Sequence, residues 1–210
     1  LQAESGLVKI RMYNTDHKET VSTSVEPVFA NGKDEFLIEA FELNSDISLF
    51  ITKVDSKVPY LYRLVIDGTK GKLKSETKIV ELKKLTTQKS YALYFSREER
   101  QFFISKDPNS DNYAVAFCNS FRTDKSKKIE IVQYGSDHQE ISHASYENTN
   151  REYEYFEFAG ITVIGSERVY LSIIAENNKV ILLGLKKGGA VLTSDVIDLP
   201  KDESIANGYV

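Results

Sequence analysis

One phrase occurs twice in this chain, and its recurrence restricts the fold more than any other feature. Tyr13-Asn14-Thr15-Asp16-His17-Lys18-Glu19 returns as Tyr134-Gly135-Ser136-Asp137-His138-Gln139-Glu140. An alternating stretch precedes each copy, Val8 to Met12 in the first and Ile129 to Gln133 in the second. A period of two is what a half-covered strand imposes, so each copy reads as the turn of a β-hairpin. The same outline recurs at Leu61 to Val80 around Asp67-Gly68-Thr69-Lys70-Gly71, and at Val180 to Ile197 around Lys187-Gly188-Gly189. The four turns stand about 53, 68 and 51 residues apart, a spacing expected of a propeller or another array of small sheets.

Each later hairpin is preceded by two more strand patterns. Ile47, Leu49 and Ile51 alternate with their neighbours, as do Tyr113, Val115 and Phe117, and then Val169, Leu171 and Ile173. Further upstream lie Phe36 to Phe41, Tyr91 to Ser96 with Phe102 to Ser105, and Phe156 to Ile164, giving a first strand to each set of four. Polar breaks such as Lys106 to Asn112, Arg122 to Lys128 and Glu176 to Lys179 supply turn chemistry between them. Ser96 to Gln101 is the single hint of a helical turn, and it is too short to be more than part of a loop. Twelve Tyr and eleven Phe suit pleated, partly covered surfaces. The expected fold is all-β, a β-propeller or partial propeller of four-stranded antiparallel blades. Its segments are residues 1–27 (the outer hairpin of an incomplete blade), 28–85, 86–150 and 151–200 (one blade each), and 201–210 (the start of a further blade or a closing strand). Closed propellers have about 4 to 8 blades, so either the N-terminal strands complete a blade with the C-terminal strand or, the favoured reading, further blades lie outside this sequence.

Charge and composition exclude several classes. With 27 basic and 31 acidic residues the net charge is −4, which is not the basic footprint of a nucleic-acid binder. The Lys-rich stretch Arg122 to Lys128 has no interleaved aromatics on which bases would stack. The longest apolar run, Val180 to Leu185, stops at Lys186, far short of a membrane helix. A single cysteine, Cys118, allows neither a disulfide framework within the chain nor a cysteine-rich zinc site. The chain starts at Leu1 rather than Met, which reads as a processed product or a piece of something longer, and Ala3 suits a cleavage point for an export signal.

The residues that carry chemistry elsewhere are read here as structural. The two Asp-His-x-Glu phrases contain metal-ligand types, but they sit at the tips of hairpins in different segments, where Asp and His suit the turn itself. His143 alternates with Ile141 and is expected on the surface. Cys118 has no neighbouring base and reads as a semi-buried structural thiol. The acid pairs Glu98-Glu99 and Asp202-Glu203 lie on polar loops, without the burial that keeps a glycosidase acid neutral. Gly68-Thr69-Lys70-Gly71-Lys72 lacks the spacing of a phosphate loop. No catalytic, cofactor or metal residue is therefore assigned. The strongest docking potential lies in Glu152-Tyr153-Glu154-Tyr155-Phe156-Glu157. There Tyr153, Tyr155 and Phe156 offer contact area at small entropy cost while the acids keep the tract soluble. The competing reading is a first blade strand packed between its neighbours.

Leu61-Tyr62-Arg63-Leu64-Val65-Ile66-Asp67, Phe102-Phe103-Ile104-Ser105-Lys106-Asp107, Ile164-Gly165-Ser166-Glu167-Arg168-Val169-Tyr170-Leu171 and the hairpin from Ile129 to Ser145 together cover much of the chain. In this succession the sequence resembles the exported WD40-like β-propellers of Bacteroidota, although it contains no Trp and so no Trp-Asp pair. The resemblance implies a periplasmic, cell-surface or secreted protein without a cofactor. It also implies a non-enzymatic scaffold or accessory subunit for a protein partner in an envelope assembly for secretion or uptake. The alternative it leaves open is a carbohydrate-binding or glycan-processing propeller.

Overall fold

The computed structural model describes residues 2–4, 7–28, 35–84, 102–118, 128–147, 156–175 and 179–198. These residues form fifteen β-strands and no helix. The chain divides into two compact units, residues 1–88 and 89–210.

The first unit holds β1 (Gln2–Glu4), β2 (Leu7–Tyr13), β3 (Glu19–Val25), β4 (Glu35–Leu43), β5 (Asp46–Asp55), β6 (Val58–Ile66) and β7 (Leu73–Glu81). They make a three-stranded sheet, β1-β2-β3, and a four-stranded one, β4-β5-β6-β7, with antiparallel neighbours throughout. β1 is a strand that Gln2-Ala3-Glu4 does not announce, because three residues without apolar alternation leave no periodic signal. Local chemistry explains the two tight hairpins of the larger sheet. Asn44 and Ser45 take φ of 50° and 65°, and Ser56 and Lys57 take 50° and 71°, so both pairs have the left-handed geometry of a two-residue turn matched to strand twist.

Val8, Ile10 and Val25 of the smaller sheet share a core with Leu49, Ile51, Leu64 and Ile66 of the larger. The alternation around Leu49 marks this strand, and β5 is buried on both faces. Leu49 and Phe50 are fully buried, and Ile51 and Thr52 are nearly so. Leu49 and Ile51 belong to the core just described, while the Phe50 ring meets Phe41 at 5.2 Å. The β6–β7 turn reaches back onto the smaller sheet through Gly71, whose φ is +66°. A Cβ there would stand 2.8 Å from the Thr23 methyl and 3.1 Å from Val21 Cγ1, so both backbone conformation and space require glycine.

The second unit holds β8 (Phe102–Lys106), β9 (Tyr113–Cys118), β10 (Lys128–Tyr134), β11 (Glu140–Glu147), β12 (Phe156–Ile164), β13 (Arg168–Ala175), β14 (Lys179–Lys186) and β15 (Thr193–Asp198). These form two antiparallel four-stranded sheets, β8-β9-β10-β11 and β12-β13-β14-β15. Their common core sets Ala114, Ala116, Ile129, Ile131 and Ala144 of one sheet with Val169, Leu171, Ile173, Ile181, Leu183 and Leu185 of the other. Small residues facing large ones give the dense packing that two apposed sheets need. Phe103 and Phe158 extend this core as a stacked pair, 3.9 Å between ring centres. β9 is buried on both faces from Tyr113 to Phe117.

The twice-written phrase is also a twice-built structure. In the first copy the Asn14 amide donates to the Lys18 carbonyl and the His17 amide to the Asn14 carbonyl. In the second, Gly135 donates to Gln139 and His138 to Gly135. Both hairpins carry a register shift one residue before the turn, so that Tyr13 faces Glu19 and Tyr134 faces Glu140. A second shared irregularity lies further on, a bulge between Leu37 and Glu39 in β4 and another between Phe158 and Gly160 in β12. Tyr134 follows Tyr13 by 121 residues, and Phe158 follows Leu37 by the same interval. The first unit's sheets thus correspond in order to the second unit's, β2 to β10, β3 to β11 and β4 to β12.

Candidate interaction surface

Of the residues singled out for docking, Tyr153 and Tyr155 lie outside the described residues. Phe156 opens β12 and its backbone pairs with Ala175; its side chain lies outside the described set. Glu98, Glu99, Asp202 and Glu203 also fall outside it.

Within the second unit the most developed polar site lies where the turn after β8 meets the turn after β12. Asp107, 5% exposed, begins the turn. Its Oδ1 accepts the Asn109 amide at 3.1 Å, and its Oδ2 accepts the Ser110 hydroxyl at 2.5 Å. The same Oδ2 accepts the Gly165 amide at 2.9 Å, from the neighbouring sheet. Gly165 has φ of +51°, a conformation that suits glycine. Its carbonyl accepts Gln133 Nε2 at 3.0 Å. Ser142, the cross-strand partner of Gln133, accepts the Gly188 amide through Oγ at 2.7 Å. Three side chains of one sheet thus bind backbone groups in two turns of the next. The Ser110 hydroxyl is the main cause holding the Asp107 carboxyl below its usual range; burial opposes it, and the Asn109 and Gly165 amides assist. Fully burying one Leu or Ile contributes about 1.5–3 kcal/mol, against about 1 kcal/mol net for a hydrogen bond. The apolar core therefore holds the sheets together, and the directional bonds fix their alignment.

The two repeated histidines serve as left-handed turn residues, with φ of 59° at His17 and 66° at His138. His138 has acquired a further contact, its Nδ1 lying 3.2 Å from the hydroxyl of the fully buried Tyr113. His143 is exposed on β11 and pairs through Nε2 with Glu130 at 3.1 Å. Among the described residues no group of three or more His, Cys, Asp or Glu is arranged to hold a metal ion. Cys118 is a half-buried thiol packed against the core at the end of β9. No helix among the described residues is long and apolar enough to cross a membrane.

The described carboxyls with a resolved displacement all move downward. The Thr69 hydroxyl and the Thr69 and Lys70 amides hold Asp67 at about 2, and Lys187 with Ser166 lowers Glu167. These are stabilised carboxylates, suited to turns and surface pairing; a general acid needs the opposite displacement. The sequence puts Asp107 at the start of a polar break, and nothing local in Asp-Pro-Asn-Ser announces a partner 58 residues away.

The exposed apolar side chains include Tyr13 on β2, Leu37 on β4, Ile164 on β12, and Val196 and Ile197 on β15. No protein-family model and no curated protein matches this sequence.

Proposed function

We propose that the chain belongs to an exported, non-enzymatic β-propeller that acts as a docking scaffold or accessory subunit for a protein partner in a cell-envelope assembly. The observation that carries this reading is the repeated four-stranded sheet whose second strand is buried on both faces, as in β5 and β9. A sheet stacked between neighbours, as in a blade, buries its strands in this way, whereas each sheet of a lone two-layer sandwich keeps one face in water, and this supports the propeller reading. The resemblance to exported WD40-like propellers of Bacteroidota favours the same architecture and an envelope or extracellular location. The stabilised carboxylates Asp67, Asp107 and Glu167 have structural duties in turns, in keeping with a rigid support. Fold alone does not assign a function, so the test is biochemical. The tagged chain is expressed in its native source and captured after cross-linking, and the co-purified proteins are quantified. A stoichiometric envelope protein is expected. Recovery of the chain alone, together with selective binding on a glycan array, overturns the scaffold in favour of the sugar-binding alternative.

A further inference from the structure

Each of the four sheets ends, in chain order, on a strand with one neighbour among the described residues: β3, β7, β11 or β15. This last edge belongs to the repeating plan and recurs in every sheet. Open edges invite pairing with another chain, and charged side chains along them are the usual guard. Three of these edges carry such a guard. β7 has Lys74, Glu76 and Lys78, β11 has Glu140, His143 and Glu147, and β15 has Asp195 and Asp198. β3 has no charged residue from Thr20 to Val25, and its Ser22 and Ser24 are exposed. The hairpin fixes how this strand is turned. The Met12 carbonyl accepts the Thr20 hydroxyl and so faces β3, where Val21 stands opposite Met12. Antiparallel alternation then directs the backbone groups of Val21, Thr23 and Val25 toward β2 and those of Ser22 and Ser24 toward the open edge.

We propose that β3 pairs with β3 of a second copy of this chain, antiparallel about a two-fold axis at Thr23. The segment Val21-Ser22-Thr23-Ser24-Val25 reads the same in both directions. The equivalent stretch of β11, Ser142-His143-Ala144-Ser145-Tyr146, has no such symmetry. In the two-fold register Val21 meets the partner's Val25, Ser22 meets the partner's Ser24, and Thr23 meets the partner's Thr23. Hydroxyls and β-branched side chains set opposite their own kind are favourable cross-strand pairs. The outward backbone groups of Ser22 and Ser24 then fall opposite one another and exchange both of their main-chain hydrogen bonds. Charge agrees with this direction of pairing. Lys18 and Glu26 flank the segment, are exposed, and make no ion pair among the described residues. Antiparallel pairing brings Lys18 of each copy to the end where the partner's Glu26 stands. The contact consumes the same edge on both copies, so it closes at a dimer instead of growing into a fibre. So short a strand buries little area, and the dimer is a weak one that dissociates on dilution. The pairing needs only this edge and does not depend on the scaffold reading.

The test is sedimentation equilibrium of the full chain from micromolar to millimolar concentration, with amide exchange followed at both ends of that range. A reversible monomer–dimer equilibrium is expected, with exchange at Ser22 and Ser24 slowed in the dimer. Both serines are exposed, so substitutions there are expected to leave the monomer's melting temperature unchanged when measured at low concentration. Ser22→Lys combined with Ser24→Lys sets like charges directly opposite each other in two places and is expected to abolish the dimer. Ser22→Lys combined with Ser24→Glu sets Lys opposite Glu in both places and is expected to tighten it about threefold to tenfold. The opposite signs of the two results are specific to the two-fold register at Thr23. A monomer at every concentration overturns the proposal and leaves the β3 edge to a strand of different origin. A dimer that both variants leave unchanged, or that the Lys–Glu variant weakens, also overturns it, because the contact then lies elsewhere or in another register.

Discussion

Replacing Asp107 by Ala removes three hydrogen bonds to one carboxylate, and their surroundings decide what each is worth. Asn109 and Ser110 belong to the same surface turn and can rebind water, so their loss is small. The Gly165 amide faces the neighbouring sheet, and leaving such a part-buried donor unpaired costs about 1–3 kcal/mol. With a small loss of turn rigidity, Asp107→Ala is expected to destabilise by about 2–3 kcal/mol. At roughly 2–4 °C per kcal/mol for a chain of this length, the melting temperature falls by about 5–10 °C. Asp107→Asn keeps an acceptor but loses the charge, and is expected to cost about 1 kcal/mol. Asp111→Asn in the same turn is the control, since its pairing with Lys106 is at the surface and such pairs contribute about 0–1 kcal/mol. The pH dependence has a definite sign. Asp107 has a lower pKa folded than unfolded, so its contribution is complete above the unfolded value of about 3.9 and is lost as pH falls through the lower folded value. The gap between wild type and Asp107→Asn must narrow on acidification, as followed by circular dichroism melts from pH 7 downward. Equal stability of wild type and Asp107→Ala at pH 7, or a gap that widens in acid, refutes the assignment.

Three other outcomes follow from the turns. Gly71→Ala places a methyl in a left-handed position against Thr23 and Val21 and is expected to cost about 2 kcal/mol or more in a urea melt. His17→Gly relieves a left-handed side chain and is expected to stabilise by about 0.5–1 kcal/mol. His138→Gly also loses the Tyr113 contact and is expected to show no gain; matching gains at both sites in parallel melts would contradict this difference. Carboxyl carbon NMR should show Asp67 titrating at about 2, and Thr69→Val, which removes the chief hydroxyl donor, should move the midpoint upward.

The hairpin plan was legible because turn chemistry is local: Asn14 and Gly135 open the two copies of one turn, and His17 and His138 take the same backbone conformation within it. Alternation likewise located β5, β9 and β13. It left open whether the opposite face of β5 and β9 is covered, because Phe50 and Ala116 disclose only that they are apolar. Whether a second layer covers them depends on residues distant in sequence. The docking of Asp107 and Gln133 on Gly165 was illegible for the same reason, each partner lying 58 or 32 residues away. A repeat can predict such contacts only partly. Val21 and Ser142 occupy equivalent positions and both meet a glycine in the last hairpin turn of their unit, the first through a methyl and the second through a hydroxyl.

The most direct test of the account is a crystal structure of the full chain. Under the proposed propeller, four-stranded sheets arranged around a shared axis are the expected result. Two facing layers, each with one side open to solvent, would contradict the propeller and the scaffold argued from it.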